Sequence, residues 1–117
     1  MKDRNIAILE KVIQYADEIS GTLVRFDSDI EIFKNDYVMK NAIAMCILQI
    51  GELVNMLTEE FKIKYNEMPW RDIISMRHRT VHAYGSMDME ILWKIVTSDI
   101  PELKNYCESV IKGIICT

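Results

Sequence analysis

The chain has little from which to build turns. Four glycines and two prolines are spread over 117 residues, and tight turns draw on the backbone freedom of the one and the fixed φ of the other. Basic charge is also scarce: 14 Lys and Arg against 18 Asp and Glu leave a net charge of −4. That balance excludes broad, nonspecific nucleic-acid binding through a basic face, though not a local cationic site. Cysteines number three, Cys46, Cys107 and Cys116, with no CxxC spacing. Cys46 and Cys107 sit inside apolar patterns, so the expectation is buried free thiols in a reducing compartment, not disulfides or a metal site. No segment offers the roughly 18 apolar residues of a membrane span. The start, MKDRNIAILE, has no apolar core or cleavage site of a signal peptide. The expected location is the cytoplasm, with no membrane association.

Half of the residues are hydrophobic and 27% are charged, a globular composition. The length fits a single domain, residues 1–117. The abundance of Ile, Leu, Met, Lys and Glu with so few turn residues predicts helices. In the first, Ile6, Leu9, Val12, Ile13, Ala16, Ile19 and Leu23 recur at three- and four-residue steps. Ser28 and Glu31 have capping-box spacing, which predicts a short helix over residues 29–34. A second long helix is predicted from Asp36 to Phe61. Its middle, AIAMCILQIG, is apolar nearly all round, so it should be central, either with one face left for a partner subunit or wholly within an intramolecular core.

After the polar stretch KIKYNEM, Pro69 suits the first turn of a third helix, ending near His82 with Gly85 and Ser86 beyond. Asp88 opens a fourth. Asp99 and Glu102 have capping-box spacing around Pro101, which fits either a fifth helix or a kink in one long helix. No strand signal, repeat or low-complexity tract is present. The expected fold is all-α: an antiparallel up-and-down bundle of four to five helices.

Both histidines of the chain fall in one stretch, MRHRTVHAYG, residues 76–85. Trp70, Ile74, Arg77 and Val81 step by four, three and four, which puts Arg77 on the inward row of the third helix. A buried arginine is costly unless it is paired or lines a cleft. Arg77 can grip a phosphate through parallel N–H donors, His82 can move a proton near neutral pH, and Tyr84 can donate a hydrogen bond or be modified. These groups suit metal-free phosphodiester cleavage, in which a ribose 2′-hydroxyl attacks the adjacent phosphate. On an unbroken helix, Arg77 and His82 would lie about 140° apart. Convergence therefore needs a distorted helix end or a second copy of the motif. Two histidines four apart with no placed carboxylate make a poor metal site, and no cofactor is expected. The residues alone leave catalysis and a structural ion pair both open.

Arg77, His82 and Tyr84 reproduce the R-x4-H-x-Y motif of HEPN ribonucleases. With IGELVN (residues 50–55), PWRDIISMRHRTVHAYGSMD (69–88) and LWKIVTSDIPEL (92–103), the whole chain resembles the HepT-like toxins of HEPN/MNT toxin–antitoxin pairs. The resemblance implies a homodimer whose two motifs meet at a shared cleft, and a metal-independent endoribonuclease in a type VII toxin–antitoxin pair. Arg77 and His82 would be catalytic. It also implies a partner, a minimal nucleotidyltransferase antitoxin that uses ATP and Mg on its own subunit and transfers AMP to Tyr84. The adenylate would block the cleft by bulk and charge. His78 stands where the family often has a small polar residue, and it would either assist or face solvent. Arg79 would be a surface charge or an auxiliary RNA contact. Glu52 would pair with Arg77 or be an ordinary solvated carboxylate. The alternative function is a non-enzymatic subunit that binds a nucleotide or substrate for a nucleotidyltransferase.

Overall fold

The computed structural model describes the backbone of residues 3–83 and 88–115; the side chains of residues 78–83 and 115 lie outside the described part. The described residues form an all-α bundle with no strand. Helix α1 spans Arg4–Arg25, α2 Ile30–Asn35, α3 Tyr37–Asn55, α4 Glu59–Lys64, α5 Trp70–Ala83, α6 Met89–Lys94 and α7 Ile100–Ile115. A π-helical turn, Ile95–Asp99, joins α6 to α7.

α3 lies at the centre, packed along α1 on one side and α5 on the other, while α7 packs on α1. Its Met39, Ile43, Ile47, Ile50 and Val54 are fully buried and meet the predicted stripe of α1, from Ile6 to Leu23. Each such aliphatic side chain contributes about 1.5–3 kcal/mol on burial. The neighbouring helices run antiparallel. Asn5, near the start of α1, bonds Thr58, just past the end of α3: the Thr58 amide donates to Asn5 Oδ1 and Asn5 Nδ2 donates to Thr58 Oγ1, both at 3.1 Å. Lys104 of α7 bridges Asp17 of α1 at 2.5 Å.

Several boundaries differ from the sequence expectation. The second long helix stops at Asn55, not Phe61, because the Thr58 hydroxyl accepts from the Phe61 amide at 3.2 Å and starts α4. Part of the stretch taken as a polar connection is therefore helical. α2 is capped by Asp29, not Ser28. The Asp29 carboxylate accepts from the Glu31 amide at 2.8 Å, while Asp27 and Ser28 hold positive φ of 59° and 49°, outside the cap conformation. Asp88 does cap α6, accepting from Glu90 and Ile91 amides.

Helices four and five are one continuous run, residues 89–115. Asp99 lies within it and begins no new helix. Pro101 has no N–H and its ring would press on the carbonyl four residues back. The run widens just before it, so that the Ile100 amide donates to Ile95 O, five residues back.

α3 alone among the described helices is long and apolar enough to cross a membrane, against the expectation that no segment would be. Ile and Met outweigh its dispersed Lys40, Gln49 and Glu52 in the average. Here its most apolar side lies in the bundle core. The opposite side stays uncovered: Val38 and Met45 are 56% and 55% exposed, with Tyr37 and Met56 also exposed.

Candidate functional site

α3 and α5 come closest where Gly51 faces Arg77. A methyl group added at Gly51 would overlap the Arg77 Cβ and stand 3.2 Å from its Cγ and 3.3 Å from its Cα. Gly51 is buried in mid-helix, where glycine costs about 1 kcal/mol relative to alanine. The missing side chain is what lets the two backbones approach. Sequence reasoning passed over this residue, although a lone glycine inside an apolar helical run signals close backbone approach.

The contact fixes the root of Arg77, and Glu52 fixes its tip. Arg77 Nη1 donates to Glu52 Oε1 in an ion pair. The two side chains are 32% and 46% exposed, so the pair sits at the mouth of the α3–α5 seam, where solvent and a ligand can reach it. Arg77 Nε is buried without a hydrogen-bond partner among the described residues. Such a donor costs about 1–3 kcal/mol, and the clasp of Gly51 and Glu52 holds it there. A guanidinium has five N–H donors, so the pair with Glu52 leaves others for an anion. Of the row predicted to face inward, Trp70 is buried and Ile74 and Arg77 are half-buried, while the side chain of Val81 lies outside the described residues.

The rest of the predicted site is only partly placed. Tyr84 and the side chains of His78, Arg79 and His82 lie outside the described residues, as do Gly85, Ser86 and Cys116. The backbone of α5 is α-helical through Ala83, so positions 77 and 82 stand about 140° apart around its axis. Among the described residues, no group of three or more His, Cys, Asp or Glu could hold a metal ion. Cys46 and Cys107 are buried free thiols. Burial, with a smaller contribution from a nearby glutamate in each case, pushes their pKa values up to about 11 and about 12. Both are therefore poor nucleophiles at neutral pH.

Beside the Arg77–Glu52 pair, a groove of about 520 Å³ opens between the end of α3, α4 and the first turns of α5. Asn55 and Ile74, each three residues from a member of the pair, belong to its wall. A second pocket lies between α5 and the π turn, rimmed by Asp72, Asp99 and Glu102.

Comparison with known proteins agrees with the family resemblance. A protein of Methanocaldococcus jannaschii, provisionally named an RNase, is 32% identical over 115 residues, 97% of each chain. A second from the same organism, also provisionally named an RNase, is 31% identical over 117 residues, 97% of this chain and 93% of its own. A protein of Thermococcus cleftensis, provisionally named ribonuclease HepT, is 37% identical over 82 residues, 70% of this chain and 74% of its own. No solved structure gave a significant match. Residues 6–110 match the family described as Ribonuclease HepT-like, and the chain belongs to the HepT-like ribonuclease family.

Proposed function

We propose that this chain is a metal-independent endoribonuclease, the toxin of a type VII toxin–antitoxin pair, acting in the cytoplasm as a single-domain protomer of a homodimer. The observation that carries the reading is Arg77: a guanidinium fixed at its root by Gly51, clasped by Glu52 and open to solvent at the α3–α5 seam. In the reaction, a ribose 2′-hydroxyl attacks the adjacent phosphorus while His82 accepts its proton. The P–O5′ bond breaks and the 5′-oxygen leaves with a proton taken from solvent water or returned by the His82 imidazolium, giving a 2′,3′-cyclic phosphate and a free 5′-hydroxyl. Arg77 stabilises the negative charge that builds on the phosphoryl oxygens.

The helical backbone of α5 through Ala83 supports a composite site. Positions 77 and 82 stand about 140° apart around its axis, and a second copy would bring its own motif to a shared phosphate. The uncovered side of α3 suits that copy. Val38, Ala42 and Met45 are exposed along one stripe of α3, and its next turns carry Gln49, Glu52 and Met56, so an interface there would end at the Arg77–Glu52 pair. Neutralisation would follow from AMP transfer to Tyr84 by a minimal nucleotidyltransferase partner, which places bulk and negative charge beside a phosphate site.

The test is expression of the chain alone, with cellular RNA integrity compared between wild type, Arg77→Ala and His82→Ala. Wild type should degrade RNA and both variants should not. Equal RNA integrity in all three, with the proteins folded, would refute the reading. Intact mass after co-expression with a nucleotidyltransferase encoded beside it should show added adenylate, lost in Tyr84→Phe.

A further inference from the structure

We propose that the groove beside Arg77 is a subsite for single-stranded RNA, holding the phosphodiester that flanks the cleaved one. The inference rests on the ribonuclease reading. It assigns Lys62 and Arg71 as phosphate contacts and Glu59 as the carboxylate they displace.

The groove has the chemistry of a nucleotide site. Its volume, about 520 Å³, falls in the range of about 300–1,000 Å³ typical of small-ligand pockets. Ile63 and Ile74 give it apolar surface against which a base can lie, and Asn55 and Asn66 offer amide donors and acceptors. Two cations face it. Arg71 is exposed and makes no ion pair or hydrogen bond among the described residues. It lies six residues before Arg77, about 9 Å along the axis of α5, with Ile74 midway between. The side chain of Lys62 is only 15% exposed, yet its sole carboxylate among the described residues is Glu59, 84% exposed, at 3.1 Å.

That last pair is informative. A lysine this covered normally holds its partner in a well-formed pair. Here the partner is a mobile type of side chain on the solvent side, one turn back on the same short helix. A phosphate can replace Glu59 at the ammonium with little rearrangement, and the replacement strengthens the contact because a phosphate brings more acceptors. The two cations also reconcile an acidic chain with an RNA substrate, since the charge needed is concentrated along one seam. Arg77, Ile74 and Arg71 follow an i, i+3 ridge that turns about 120° around α5 over about 9 Å, so a strand bound at Arg77 reaches Arg71 and Lys62 by following that ridge past Ile74.

The test measures binding of a labelled, single-stranded oligoribonucleotide that is 2′-O-methylated throughout and so lacks the nucleophile. The full-length chain is compared with Lys62→Ala, Arg71→Ala and Glu59→Gln, each checked for folding by circular dichroism. Lys62→Ala and Arg71→Ala should each weaken binding about tenfold, as loss of one charge-assisted hydrogen bond does. Each should also lower the slope of log K against log salt by about 0.7. Glu59→Gln should tighten binding, a change that loosened folding does not produce. Excess AMP should fail to displace the oligonucleotide; displacement would make the groove a free-nucleotide site and overturn the assignment.

Unchanged affinity in all three variants, or no binding by wild type, also overturns it. Cleavage of RNA by wild type alongside unchanged binding in the variants would sink the subsite alone. Graded binding in a chain that cleaves nothing would keep the groove as an RNA-binding site but remove the nuclease reading and, with it, the assignment of a flanking phosphodiester.

Discussion

Gly51→Ala tests whether the α3–α5 contact sets the position of Arg77. The added methyl would overlap Arg77 Cβ and sit 3.2 Å from Cγ and 3.3 Å from Cα, whereas carbon atoms rest at about 3.5–4.0 Å. The near atoms belong to the root of a side chain and to backbone, so no rotamer change relieves them and α5 must shift. Overpacking of this kind costs about 1–3 kcal/mol. Alanine returns about 1 kcal/mol of helix propensity, so the net loss is about 0–2 kcal/mol. For a chain of this size, that lowers Tm by roughly 0–8 °C. The effect on RNA cleavage should be far larger. A displacement near 1 Å in a positioned group can cost about 100-fold in rate, so kcat/KM should fall by about that factor in a protein that is still folded.

Gly21 and Gly113 supply the control. Among the described residues, nothing beyond the helix's own backbone lies within 4 Å of a methyl group placed at either, so Gly21→Ala and Gly113→Ala should gain about 0.5–1 kcal/mol and keep full activity. The assays are thermal melting and cleavage of a labelled oligoribonucleotide. If Gly51→Ala proved as active as wild type and as stabilised as Gly21→Ala, the close approach would not exist in solution.

Glu52→Gln should cost less than about 1 kcal/mol in urea melts, because both members of the Arg77 pair are partly exposed and screened; a loss above about 3 kcal/mol would mean a buried pair. The Tyr106 hydroxyl shares its one proton between the Glu67 carboxylate at 3.1 Å and Tyr65 O at 3.2 Å. Burial, then the Glu67 carboxylate, pushes its pKa up from 10.0 to about 12. Its stabilising effect is therefore complete below about pH 10 and lost as pH rises toward about 12, and Tyr106→Phe should flatten that part of the stability profile. Cys46 and Cys107, raised to about 11 and about 12, should resist a disulfide reagent at neutral pH in the native chain and react on unfolding; prompt reaction of Cys107 would contradict its burial.

The long helices were legible because their apolar spacing is unambiguous. Ile6, Leu9, Val12, Ala16, Ile19 and Leu23 read as one face and pack as one face. The corners were harder. The break after Asn55 rests on the Thr58 cap of α4, a signal the apolar run around it obscures, and Asn5 braces Thr58 by two hydrogen bonds from more than fifty residues earlier, a partner that no local pattern can show. The π turn has the same character: Pro101 announced a disturbance but not whether the helix would end or widen. At the site, the motif marks Arg77, and the sequence leaves Glu52 open between pairing with Arg77 and standing as an ordinary solvated carboxylate. The groove formed by Lys62, Arg71 and Asn55 left no such trace, because three unremarkable polar residues acquire meaning only once α3, α4 and α5 are assembled.

The reciprocal bonds between Asn5 and Thr58 have a practical bearing on any engineered form of the protein. The corner that turns α3 into α4 is latched from the opening turn of α1. A bulky fusion placed directly ahead of Asn5, or trimming past it, would unlatch that corner and let the wall carrying Lys62 and Ile63 drift, even with the bundle centre intact.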